Sequence, residues 1–215
     1  MNVHSQSRRT MPPLPQTAPA PEDRSLEILG SIRQAFAEKG FDGASMQDLA
    51  RAAGMSVGNF YRYFPSKAAI VEAMCSYDLA EIQADFAEIQ TSDQPMACLR
   101  DRILAHFDEE GMKDGQLWAE ITAAAIRKPE IGSAARQMEE TITRFLCAIF
   151  ANVTRRSMED ACRRYEGQCQ MLVMLVKAMA MRTAQCGPAT PALAAQVVAV
   201  IDRILTEISN DKAEG

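Results

Sequence analysis

S45-MQDLARAAGMSVGNFYRYFPSK-67 is the stretch whose local chemistry decides the fold of this chain. Ser45, followed three residues on by Asp48, spells a capping box: a side-chain oxygen takes one orphan amide of the first helical turn and an acid reaches back to the cap. Met46, Leu49, Ala50 and Ala53 then form a short apolar face that Gly54 ends, which predicts a helix over about 46–53. Ser56 caps a second short helix that runs to about Tyr63, where Phe64-Pro65 breaks it, because proline disfavours helical backbone at the residue before it. Ser66 then starts a long helix carrying Ile70, Met74, Tyr77, Ile82, Phe86 and Ile89.

Two short helices that cross steeply need a small residue where they touch, a glycine in the turn and apolar residues on both inner faces. Counted from Met46, Leu49 holds the fourth position, Ala50 the fifth and Gly54 the ninth, while Met55, Phe60 and Tyr63 fill the tenth, fifteenth and eighteenth. The pattern predicts a helix-turn-helix with Phe60 and Phe64 in its core. The outward side of the 57–63 helix combines Gly58, Asn59, Tyr61 and Arg62, groups able to approach base edges and phosphates, where a merely solvated face carries more Glu and Lys.

Upstream, Ile28, Ile32 and Phe36, with Leu29 beside them, predict a helix that Gly40 stops. Residues 1–22 hold five of the ten prolines and two arginines, Arg8 and Arg9, without an apolar period, so they are expected to be a disordered arm. A short basic pair of this kind can enter a minor groove, but is more often simply solvated. Downstream, helices are expected at roughly 95–109, 115–127, 130–154, 159–184 and 189–210, separated by Gly111, Gly115, Pro129, Arg155–Met158 and Gly187-Pro188. Nothing alternates with period two for long enough to make a strand. The expectation is an all-α chain of about nine helices. Its domains would be an arm over 1–22, a three-helix DNA-binding unit over 23–70, and a larger helical domain over 71–215.

The chain has 215 residues, 47% hydrophobic and 24% charged, and a net charge of −5 that argues against a general polyanion binder. The charge is unevenly placed: residues 1–70 carry 8 Lys/Arg against 6 Asp/Glu, and 71–215 carry 15 against 22, so nucleic-acid contact belongs to the N-terminal third. No apolar run reaches the roughly 18 residues that span a bilayer, and the start lacks a secretory core, which gives a cytoplasmic expectation. With two histidines, His4 and His106, and no GxGxxG, Walker loop or HExxH, an enzyme is not expected. Glu109-Glu110 and Glu139-Glu140 are adjacent pairs that point about 100° apart on a helix, so neither can face one substrate as a pair. No cofactor and no metal is expected. The six cysteines, Cys75, Cys98, Cys147, Cys162, Cys169 and Cys186, contain no CxxC pair and read as free thiols, with a redox pair left open.

The stretch 45–67 resembles the DNA-binding signature of the TetR family of bacterial regulators, most of all in V-G-N-F-Y-R-Y-F-P-S-K with Ile70 behind it. Upstream, I-R-Q-A-F-A-E-K-G-F-D-G-A-S resembles the family's first helix and loop. The resemblance implies a homodimer with one recognition helix per half-site, a C-terminal inducer domain and, usually, repression. Carried over by position, Ser45 matches a polar residue that touches phosphate and Gln47 lies where the second helix reaches backbone or base. Ser56, Val57, Gly58, Asn59, Tyr61 and Arg62 fall on the recognition helix and its cap. Tyr63 matches a phosphate-contacting aromatic or histidine, and Lys67 the lysine that opens the fourth helix. Lys67 at a helix N-terminus would make a phosphate clamp with the free amides. Phosphate contacts from the second helix are thin, since Asp48 is acidic.

Two C-terminal stripes must be covered: Met171, Leu172, Leu175, Val176 and Met179 on one helix, and Leu193, Val197, Ile201, Ile204, Leu205 and Ile208 on the other. In the TetR-like arrangement they pair with a second subunit. This makes Leu172, Leu175, Met179, Val197, Ile201, Ile204 and Ile208 the expected dimer interface. Phe107, Leu117, Trp118, Ile121, Thr122, Thr141, Phe145, Met171 and Met174 are the candidate pocket for a largely apolar effector. Glu120, Thr122 and Thr141 are its candidate polar groups, and thirteen methionines supply an adaptable lining. An effector would act by shifting the fourth helix and so the spacing of the two recognition helices.

Overall fold

Capping chemistry sets the helix boundaries in the computed structural model, which describes residues 21–108 and 115–211, with backbone alone for 21–26. Helix α1 (Pro21–Lys39) stops at Gly40, whose φ of +74° is open to glycine at no steric cost. Helix α2 (Met46–Ala52) carries the full capping box at Ser45, and α3 (Val57–Tyr63) is capped by the Ser56 side chain on the Asn59 amide. Gly54, at φ +62°, makes the turn between them. Ser66 caps the 25-residue α4 (Lys67–Thr91), which runs unbroken from the helix-turn-helix into the C-terminal half. There follow α5 (Pro95–Ala105), α6 (Gly115–Arg127), α7 (Pro129–Thr154), α8 (Met158–Cys186) and α9 (Pro191–Asn210). The described residues thus form nine helices and no strand, as the periodicity predicts.

Two differences from the expected boundaries matter, the others being of one or two residues. Helix α1 begins at Pro21, inside the stretch expected to be an arm, since proline is tolerated in a first helical turn; Arg8 and Arg9 lie outside the described residues. Helix α5 closes at Ala105 with His106 as its cap rather than near 109, and Glu109, Glu110 and Gly111 lie outside the described residues.

The buried side chains form two clusters. The first joins α1–α4 through Ile32, Phe36, Leu49, Ala50, Phe60 and Ile70, and continues past residue 70 into Leu117, Ile121 and Ala124 of α6 and Ile131 of α7. The second is built from Ile89, Leu99, Ile149, Phe150, Tyr165, Leu172, Ile201 and Ile208 of α4, α5, α7, α8 and α9. The C-terminal end is tied down where Asp211 accepts from Arg156 (3.1 Å), Arg164 (2.5 Å) and the Tyr165 hydroxyl (3.0 Å). Arg164 beside it holds the Asp211 carboxyl below its usual range.

The dimer expectation needs correction here. Leu172, Met179, Val197, Ile201, Ile204 and Ile208 are all buried within the single subunit, and Leu175 packs against the same cluster half-buried. Most of the α8 and α9 stripes is thus covered within their own chain, while Met171 of the α8 stripe stays exposed.

The cysteines are free among the described residues. The Cys147 and Cys169 sulfurs lie 3.6 Å apart in the second cluster. Burial pushes the Cys147 thiol up to about 11 and the Cys169 thiol further up. At neutral pH this burial favours the neutral thiol in both. No group of three potential metal ligands converges among the described residues, and no described helix is long and apolar enough to cross a membrane.

Candidate nucleic-acid interface and effector cavity

Helix α3 has seven residues and one buried side chain, Phe60, whose ring lies 5.3 Å from that of Phe64. Everything else on it faces out. Val57, Tyr61 and Tyr63 are 40%, 46% and 65% exposed, and Gly58, Asn59 and Arg62 are exposed beside them. Large apolar and aromatic groups are left in water here although the core beneath is closed. A methyl group on Gly58 would meet nothing within 4 Å in the subunit, so its small size answers no internal demand.

Helix α2 adds exposed Ser45 and Gln47 to the same motif. The Asp48 carboxylate, an unwelcome charge near a polyanion, is spoken for. Lys39 Nζ lies at 2.5 Å, the Ser45 hydroxyl at 2.5 Å and the Ser45 amide at 3.0 Å, and Arg51 approaches at 3.4 Å. The Lys39 ammonium foremost, then the Ser45 donors, hold its pKa far below the ordinary carboxylate value.

Lys67 is the one expected DNA contact that turns inward. Its Nζ donates to the Phe41 and Asp42 carbonyls at 2.7 and 3.1 Å and sits 5.4 Å above the Phe41 ring. Desolvation, with Lys128 nearby, lowers its pKa. The lysine fastens the α1–α2 loop onto the start of α4, a structural use of the ammonium in place of a phosphate clamp.

The same loop is gripped from the other side by α6. The Phe41 amide donates to Glu120 Oε2 at 3.1 Å, and Gln116 Nε2 donates to the Ala37 carbonyl at 3.2 Å. Asp42 pairs with Arg127 (2.7 Å) and with Lys128, the two cations that hold its carboxyl below the usual range. Glu120, expected to orient a ligand, therefore faces the DNA-binding unit.

Behind this loop, α4, α5, α6, α7 and α8 enclose a cavity of about 460 Å³. Its wall includes Ile82, Phe86, Leu99, Ile103, Trp118, Ile121, Thr122, Met138 and Ile142. Of the nine expected pocket residues, Trp118, Ile121 and Thr122 line it. Leu117, one position round α6, is buried in the first cluster. Phe107 packs on the second cluster, and Phe145 stands with its ring 5.3 Å from that of Phe86, the residue that lines the wall. Thr141 donates to the Gln137 carbonyl on the exposed side of α7, and Met171 is exposed. Met174 lines a separate open groove between α7 and α8. The sequence reading missed the α4 and α5 walls. The signal was the four-residue repeat Ile82–Phe86, indistinguishable from ordinary core until the helices are placed.

The family profile of bacterial regulatory proteins, tetR family, matches residues 28–74, which is α1 to α4 of the geometry just described. Residues 28–74 are thus similar to the bacterial regulatory proteins of the tetR family. Among curated relatives, the HTH-type transcriptional regulator UidR of Escherichia coli K12 is 29% identical over 119 residues, covering 55% of this chain and 60% of that protein. EthR of Mycobacterium tuberculosis H37Rv is 33% identical over 96 residues, 44% of each. The alignments thus span about 60% or less of these relatives' length. Among solved structures, Salmonella enterica GusR superposes with a TM-score of 0.67 at 24% identity, covering 89% of this chain and 100% of that one. A TetR transcriptional regulator from Legionella pneumophila gives 0.63 at 18%, covering 87% and 98%. At these identities the structures establish a shared TetR-like fold over both halves of the chain. The curated relatives are regulators of transcription rather than enzymes.

Proposed function

We propose that this chain is a ligand-responsive transcriptional repressor that binds a palindromic operator as a homodimer in the cytoplasm and is released by a small-molecule effector. The observation that carries the reading is α3: a helix fixed by one buried ring, presenting Val57, Gly58, Asn59, Tyr61, Arg62 and Tyr63 to the outside. Asparagine can pair with adenine in two hydrogen bonds, and arginine with guanine or phosphate. The smallness of Gly58 lets the helix backbone approach a groove. Tyr61→Ala is expected to weaken operator binding about tenfold or more, at 1–3 kcal/mol per base-edge or phosphate contact, with the melting temperature unchanged. Lys67→Ala is expected to do the reverse in kind: it loses about 1–2 kcal/mol of stability through the two orphaned carbonyls. Fluorescence anisotropy on labelled operator, beside thermal melts, separates the two. A Tyr61→Ala protein that binds as well as the parent contradicts the placement of α3 in the groove.

The coupling we propose runs through α6 as well as α4. One side of α6 places Trp118, Ile121 and Thr122 on the cavity, while Glu120 and Arg127 hold Phe41 and Asp42 in front of the helix-turn-helix. An effector that favours a different α6 position pulls on that loop, and only its differential affinity for the two positions can shift the equilibrium. Glu120→Ala is expected to keep operator binding while cutting the effector-induced loss of affinity, ordinarily about 5–150-fold, by several-fold in the same anisotropy assay.

Dimerisation is assigned to the outward faces of α8 and α9, where Met171 of α8 and Ala195 and Ala199 of α9 are exposed. A two-fold dimer is what a palindromic operator demands.

A further inference from the structure

The cavity walls are apolar, but its edge is charged, and the charges are not balanced. Asp78, Glu81 and Asp85 line it from one face of α4 at i, i+3 and i+7, and Glu139 lines it from α7; the lining cations are Arg102 of α5 and Lys177 of α8. Both cations are engaged. Arg102 meets Asp85 at 3.1 Å and Glu88 at 3.4 Å, and Lys177 pairs with Glu139. Asp78 is paired in turn with Arg33 of α1. Glu81 alone among these carboxylates has no cation on it among the described residues: its Oε1 accepts from the Tyr77 hydroxyl at 2.6 Å. It is also exposed, at the rim rather than the floor.

Resting on the effector-cavity reading above, we propose that the effector is an amphiphile with an apolar, partly aromatic body and a cationic head, an amine or related organic cation, received by Glu81. A charged head brought to the rim of an apolar cavity loses part of its water and is best placed beside an opposite charge. A cationic head finds one in Glu81 without breaking an existing pair, and gains a charge-assisted hydrogen bond. An anionic head finds no free cation on the wall: desolvation lowers the pKa of the lining His106 and favours its neutral ring, and Arg102 or Lys177 must be drawn from Asp85 or Glu139, leaving a carboxylate uncompensated, with Glu81 facing the head in addition. The apolar body sits against Trp118, Phe86, Ile103 and Ile142, in space for a ligand of modest size.

Trp118 is the only tryptophan in the chain and lines the cavity, so its fluorescence reports occupancy directly. The experiment titrates the full-length protein with three probes that share one body and differ in the head: 4-phenylbutylamine, 4-phenylbutan-1-ol and 4-phenylbutyrate. The amine is expected to bind about tenfold or more tighter than the carboxylate, with the alcohol between. Glu81→Gln, an exposed change that keeps an acceptor for Tyr77, is expected to bring the amine to within about twofold of the alcohol and leave the alcohol unchanged. Carboxylate binding equal to or tighter than the amine, or an amine preference that survives Glu81→Gln, overturns the cationic assignment while the cavity reading stands. No change in Trp118 fluorescence with any of the three overturns the cavity reading and the assignment with it.

Discussion

Phe60→Ala is expected to dissolve the helix-turn-helix, at a cost of about 3–5 kcal/mol, and to abolish DNA binding. The size follows from the length of α3. A seven-residue helix does not hold itself together in water, and α3 has one buried side chain to attach it to the rest of the protein. Removing that ring leaves a cavity between α2, α3 and α4 and takes away the Phe64 contact at 5.3 Å. The first cluster runs on into α6 and α7, so the damage spreads into the C-terminal half instead of stopping at residue 70. A thermal melt followed by circular dichroism should show the midpoint falling by roughly 10 °C, at about 2–4 °C per kcal/mol for a chain of this size. An unchanged midpoint contradicts the packing described for α3.

Ile201→Arg is the second large effect, and the structure changes its meaning. Were Ile201 a dimer contact, an arginine there would give folded monomers. It is instead fully buried in the subunit's second cluster, so the substitution forces an unpaired charge into apolar surroundings at a cost of about 4 kcal/mol or more. The expected result is loss of helicity and aggregation. Ala199→Arg, two positions earlier on the exposed side of α9, is expected to keep the fold and to reduce the sedimenting mass by half. Folded, monodisperse Ile201→Arg monomers would restore the interface read from the apolar stripes.

Local signals carried most of the fold. The caps at Ser45, Ser56 and Ser66, the glycines that end α1 and make the α2–α3 turn, and the break at Phe64-Pro65 are each decided within a few residues, and the structure reproduces them. What was not legible depends on residues far apart in the chain. The inward turn of Lys67 is set by carbonyls 25 and 26 positions upstream, and the outward turn of Glu120 by an amide 79 positions upstream. The stripes of α8 and α9 failed for another reason: an apolar face looks the same in sequence whether its own chain or a second subunit covers it. For the cavity, the α6 wall was legible from Trp118 and Ile121, but Leu117 between the same turns belongs to the core, and the α4 and α5 walls emerge only when the helices are packed.

Selection of bound sequences from a random duplex library, with the purified protein at low and at high salt, decides whether α3 reads DNA sequence. The expected result is recovery of one palindrome whose half-sites follow two-fold symmetry, bound specifically at both salts and lost in Tyr61→Ala. Recovery of no preferred sequence, with binding fading smoothly as salt rises and Tyr61→Ala no different from the parent, would contradict it.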